Sequence, residues 1–188
     1  MRLKFILGAV LFAASSAVMA NSLEFQLGGK TAELRFLTNS GLLGYGGAEL
    51  GFGVFVNKNS DYMGSVGLLV QGIPAGKSPL TFGLGVKAYA AHIHDPSNNI
   101  EAITLGGLAM YTIPGHMPMA AVVDAHYAPD ITTFSDGKSF TDLGINYQVE
   151  VTPGATAYIG YRYLHTDLNN YGGYNLDDNI HVGIKLHF

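Results

Sequence analysis

The chain contains no cysteine and no tryptophan. The missing cysteine excludes a disulfide scaffold but fits both a reduced compartment and an envelope protein that folds without disulfides. Charge is scarce too. Asp, Glu, Lys and Arg make up 13% of the residues, against about 25% in ordinary soluble domains. The formal net charge of −4 carries none of the basic excess that marks a nucleic-acid partner. Beyond the N-terminus no stretch approaches the ~20 apolar residues of a spanning helix. Helical periodicity is nearly absent.

What is there begins with a leader. Arg2 and Lys4 give a basic start, Phe5 to Ala14 an apolar run, and Val18 and Ala20 the small residues of a cleavage site. This order predicts a secretory signal over residues 1–20, too short to serve as a membrane anchor. Residues 21–188 are then one domain.

Throughout that domain the pattern has period two. "SLEFQLG" sets Leu23, Phe25 and Leu27 on one face, and "TAELRFLT" sets Ala32, Leu34 and Phe36 against Glu33 and Arg35. Alternation recurs from Leu42 to Val56, from Leu80 to Ala90, from Met119, and over 140–151, 155–165 and 179–188. Residues 62–73 and 101–112 are apolar on both faces, so their orientation stays open. Turn residues separate the runs at "TNSG", "PAGKSP", "IPGHMP" and "TPG", and longer polar loops are expected at 57–61, 92–99, 129–138 and 166–178. The reading is about ten strands, most near the ~9–11 residues of a tilted spanning strand. Short turns alternate with longer loops, as in outer-membrane barrels. Eight strands is the alternative, because the first two runs are short.

Parity separates a membrane barrel from a soluble sandwich. In every strand that can be oriented, the apolar face holds no Asp, Glu, Lys or Arg. A Lys or Arg facing lipid costs ~2–4 kcal/mol at mid-membrane. The opposite face carries Glu33, Arg35, Glu49, Lys87, Asp124, Glu150, Arg162 and Lys185. We read these as a lumen charge network of paired acids and bases that occludes a narrow barrel. Together with the low charge and 25 glycines, this predicts an all-β fold, an antiparallel up-and-down transmembrane β-barrel in a lipid bilayer. Closure removes the strand edges that lipid does not tolerate. Tyr161, Tyr163 and Phe188 suit the interfacial aromatic girdles, with Phe188 at the periplasmic rim.

The C-terminal stretch "GINYQVEVTPGATAYIGYRYLHTDLNN", followed by "NLDDNIHVGIKLHF", resembles the YfaZ family of small bacterial outer-membrane proteins. A Thr-Pro-Gly turn, a "GYRY" strand, an acidic loop and a Phe-terminated strand carry the likeness, which is clearest over residues 140–188. It implies a Gram-negative outer-membrane location and a barrel architecture. It carries no catalytic residue onto the chain. The terminal strand is similar to the signal read by the barrel assembly machinery, which makes that machinery the expected partner.

Three constellations have the composition of chemical sites. His92, His94 and Asp95 have metal-ligand composition but run straight into a loop, and no metal is expected. "YLHTD" offers His165, yet Asp167 stands where a hydrolase of this kind would place Ser, and Thr166 points to the other face. "GLGVKA" lacks the Lys-Ser/Thr ending and following helix of a phosphate loop. No enzyme, catalytic residue or cofactor is expected. The function read from sequence is a structural or minor-pore role. A periplasmic lipocalin-like binding barrel and a lipid-modifying outer-membrane enzyme are the alternatives.

Overall fold

Alternating residues favour a pleated strand with one apolar and one polar face, and nearly the whole described chain adopts it. The computed structural model describes residues 22–39, 48–72, 78–95, 97–115 and 117–188. The leader expected over residues 1–20 lies outside these, as do residues 42–47 of the third predicted run, the second half of the "TNSG" turn and most of the "PAGKSP" turn. The strands are β1 (Ser22–Gly28), β2 (Thr31–Asn39), β3 (Ala48–Asn57), β4 (Tyr62–Gln71), β5 (Leu80–Ile93), β6 (Asn98–Ile113), β7 (Met119–Ala128), β8 (Thr133–Ser135), β9 (Gly137–Thr152), β10 (Ala155–Leu168) and β11 (Gly172–His187).

All pairings are antiparallel, in the order β5-β4-β3-β2-β1-β11-β10-β9-β7-β6, and β6 pairs back onto β5 to close the wall. Ten strands therefore form a barrel. The short β1 and β2 belong to it, since β1 pairs with both β11 and β2, and β2 with both β1 and β3. That rules out the eight-strand alternative. β8 is an added piece. β7 pairing ends beside Pro129, which has no N–H to donate to a ladder. The chain makes one 3-10 turn (Asp130–Thr132), and β8 then covers Ile100 to Ala102 of β6 above the end of β7.

The terminal rim holds Ser22, Phe188 and the Thr152-Pro153-Gly154-Ala155 turn. Gly154 has φ of +95°, the geometry of a type II turn with Pro at the second position and Gly at the third. The opposite, loop rim holds residues 29–30, 58–61, 94–95, 97, 129–136 and 169–171. Here the expected long loops are corrected. Residues 166–178 are largely strand, and 92–93 and 98–99 are strand as well, because β5 runs to Ile93, β6 starts at Asn98, β10 runs to Leu168 and β11 starts at Gly172. Backbone pairing continues through polar residues as well as apolar ones. A β-bulge opposite Leu164 and His165 turns the adjacent Leu176 and Asp177 both inward, where both are buried.

The outer surface is apolar. Leu84, Leu105 and Ile180 are 75%, 70% and 67% exposed. The two unassigned strands are settled: Tyr62, Val66, Leu68 and Val70 face out on β4, and Ile103, Leu105 and Tyr111 face out on β6. Between Tyr62, Tyr127 and Tyr161 toward the loop rim and Tyr111, Tyr147 and Phe188 toward the terminal rim, the outward positions carry no charge. Outward His92, Glu101, His165 and Asp167 lie beyond that band, at the loop rim.

Candidate functional site

The interior has three levels. Toward the loop rim, inward Phe55, Met63, Tyr89, Ile93, Ile100, Phe140, Leu164, Leu168 and Leu176 form the buried apolar cluster. These side chains come from the wall strands themselves and fill the bore as a stopper. Above it, the fully buried Asp61 accepts hydrogen bonds from Asn57 Nδ2 (2.7 Å), Tyr174 Oη (2.7 Å) and the His94 N–H (2.8 Å). One carboxylate thus ties the β3–β4 and β5–β6 turns to β11.

Below the stopper lies a belt of charge. Arg162 donates from Nε and Nη2 to the two oxygens of Asp142, at 3.0 and 3.1 Å, and from Nη1 to Glu33 Oε2 at 2.7 Å. Tyr89 Oη adds a donor to Asp142 at 2.6 Å. The guanidinium lies 5.8 Å from the centroid of the Phe55 ring, so the belt rests against the stopper as a cation–π contact. Arg35 Nη2 donates to Glu24 at 3.0 Å, and Arg35 Nε lies 3.8 Å from Glu33. Buried charges persist only when paired and hydrogen-bonded, and the fork of Arg162 meets that demand for two carboxylates at once.

The long polar side chains need room, and facing glycines provide it. Arg35 sits opposite Gly53, Lys87 opposite Gly67, Asp124 opposite Gly144, His126 opposite Gly106 and Tyr158 opposite Gly183. A Cβ at Gly67 would lie 2.8 Å from Lys87 Cγ, and one at Gly144 would lie 2.5 Å from Asp124 Oδ1. Each polar side chain leans over a neighbouring strand that lacks a side chain at that point.

Between the belt and the terminal rim is a cavity of about 200 Å³. Lys87, Asp124, His126, Glu49 and Lys185 are among its lining residues. Lys87 Nζ lies 3.7 Å from Asp142, and Lys185 Nζ lies 4.0 Å from Glu49.

The structure places Glu33, Arg35, Glu49, Lys87, Asp124, Arg162 and Lys185 inside the barrel. Glu150 is a correction. Its side has the inward parity, but it lies exposed at the terminal rim and joins no ion pair among the described residues. Glu24 and Asp142 are the members that sequence reasoning missed. Each occupies the polar parity of an alternating run, between Leu23 and Phe25 and next to Leu143, so the signal was present. Of the aromatics, Tyr161 donates to Asp178, Tyr163 stacks on His165 with rings 5.5 Å apart, and Phe188 is 74% exposed.

The rim constellations do not converge. His92 faces outward against Tyr62, with its Nδ1 2.8 Å from Asn99 Oδ1, while Ile93 between the two histidines points into the stopper. No group of three metal-ligand residues forms among the described residues. At the far end of β10, Ser139 Oγ donates to Asp167 at 2.7 Å, and His165 Nε2 lies 3.4 Å from the other oxygen of that carboxylate. His165 Nδ1 faces Asn175. The carboxylate stands between hydroxyl and imidazole, so this cluster lacks the hydroxyl-to-imidazole hydrogen bond that activates a nucleophile.

The YfaZ precursor family matches residues 2–188, nearly the whole chain. No curated protein matches it.

Proposed function

The chain belongs to the YfaZ family, and from that premise we propose that it is a small outer-membrane barrel with a stoppered lumen, a structural wall protein and not a general-diffusion porin. The observation that carries this is the inverted parity of the barrel. An uncharged apolar band faces out, while Arg162, Asp142, Glu33 and Glu24 are buried within. Only a lipid surround makes that arrangement favourable, since water would place charge outside and the apolar residues inside. A lipocalin-like barrel needs the reverse parity. The loop rim faces the outside of the cell in this reading, with its polar outward residues in the headgroup layer, and the terminal rim faces the periplasm. The assembly machinery engages β11, the strand that closes on β1.

The role is not enzymatic: the bonding order at Ser139, Asp167 and His165 supports a structural collar. A minor pore is the second reading, favoured by the cavity that reaches from the terminal side up to the belt. It requires the stopper to part.

Two measurements test the proposal. After membrane fractionation, the protein is expected in the outer membrane, and it should migrate differently boiled and unboiled. Recovery as a soluble periplasmic protein would overturn the location. In planar bilayers wild type is expected to give no steady channels; large, steady ones would overturn the stoppered lumen.

A further inference from the structure

The cavity below the Arg162 belt holds charges whose bonding is incomplete. The two arginines are engaged, Arg162 with Asp142 and Glu33 and Arg35 with Glu24. The lysines are not. Lys87 and Lys185 each approach a carboxylate only to 3.7 and 4.0 Å, beyond hydrogen-bond range. Asp124 has no cation within ion-pair distance among the described residues, and Glu49 has only the distant Lys185. Along the wall β5 and β11 are separated by the same number of strands in either direction, so Lys87 and Lys185 stand on opposite sides of the bore. The acids Asp124 on β7 and Glu49 on β3 lie two strands to either side of Lys87 and three from Lys185, so the wall across the bore from Lys185 carries both carboxylates.

An independent observation points to a ligand in the same space. His126 lines the cavity, is 3% exposed, and has no hydrogen-bond partner at either ring nitrogen among the described residues. A neutral imidazole carries one donor and one acceptor, and burying both unmatched is costly.

We propose that this cavity binds a small zwitterion whose opposite charges lie at its two ends. The carboxylate meets the lysine of one wall and the ammonium meets the carboxylate of the other. A polar group along the ligand or a water it carries satisfies His126. The balance of signs selects the ligand. A monoanion or monocation would bring an uncompensated charge into a bore walled by protein and apolar surface, where an unpaired charge is heavily penalised. At about 200 Å³, many times the ~10–15 Å³ that admits one water, the space has room for a small molecule.

The test uses the full barrel folded in detergent micelles and three probes of matched length: 4-aminobutyrate, butyrate and butylamine. Binding is followed by calorimetry and by the ring resonances of His126. The expected result is saturable binding of 4-aminobutyrate, with both single-charge analogues weaker by about tenfold or more. The doubly substituted Lys87→Met, Lys185→Met protein should lose about tenfold or more in affinity for the zwitterion. No saturable response to 4-aminobutyrate, equal binding of butyrate or butylamine, or unchanged affinity in a folded double variant would each overturn the proposal. The wild-type probe series decides the matter even if the double variant does not fold. The unboiled gel shift reports the barrel separately, so a failed ligand is distinguishable from a failed barrel.

Discussion

Arg162 holds Asp142 through two parallel hydrogen bonds, Nε to Oδ1 at 3.0 Å and Nη2 to Oδ2 at 3.1 Å. The residues lie diagonally across the β9–β10 pair, where Arg162 is directly opposite Gly144 and Asp142 opposite Leu164. The fork leaves Nη1 for Glu33 on β2, so one side chain spans the bore between non-adjacent strands.

Replacing Arg162 with Met would strand Asp142 and Glu33 as buried carboxylates. Removing one partner of a buried pair costs ~3–5 kcal/mol. Arg162→Met should therefore lower the unfolding free energy of the heat-modifiable form, read from urea titration, by that order. Arg162→Lys should fall between the two, keeping charge but losing the planar fork. A Met variant as stable as wild type would remove the belt from the account of stability.

On the outer surface, Val182→Lys places an ammonium in the uncharged band. The expected cost is ~2–4 kcal/mol if Val182 sits near the bilayer midplane, read as a loss of stability in lipid vesicles. A soluble barrel would tolerate the change within about 0.5 kcal/mol.

Two glycines of the wall should respond in opposite directions. A Cβ at Gly106 would run into the backbone carbonyl of Ala125, whereas a Cβ at Gly64 meets nothing within 4 Å. Gly106→Ala is expected to destabilise by ~1–3 kcal/mol, as overpacking does. Gly64→Ala should stabilise by ~0.5–1 kcal/mol through the entropy of the unfolded chain. Equal effects in urea titrations would contradict the close packing at Gly106.

At the loop rim, above the apolar band, the hydrogen bond from Ser139 Oγ holds the Asp167 carboxyl below its ordinary value, with His165 assisting. A depressed carboxylate contributes stability above the unfolded pKa and loses it as pH falls through the folded one. Wild type should therefore exceed Ser139→Ala in unfolding midpoint near neutral pH, and the gap should narrow under acid conditions below the usual carboxylate range. A gap that does not change with pH would sink this assignment.

Much of the wall was legible because period two is a direct imprint of the pleat. Leu23, Phe25 and Leu27, or Ile180 to Leu186, declare their face without help. The runs at 62–73 and 101–112 did not, for a physical reason: their inward residues, such as Met63 and Ala102, belong to the apolar stopper, so both faces are apolar. Height along the bore was the larger gap. Glu150 and Asp142 share a strand and a parity, yet one lies at the rim and the other beneath the stopper. Alternation says which way a side chain points and nothing about how far along the axis it stands. Loop lengths failed for a related reason, since the ladder at Leu168 and Gly172 is built from polar residues that look like loop.

The facing glycines bear on how the strands find one another. A slip of two residues between neighbours keeps every apolar side chain on its proper face, so hydrophobic patterning cannot reject it. The match of long side chain to glycine can. Shifted by two, Lys87 would meet Ser65 or Leu69 in place of Gly67, and Asp124 would meet Asn146 or the carboxylate of Asp142 in place of Gly144. Alternation narrows the choice of pairing to every second register, and these matches act as a proofreading code that selects one of them.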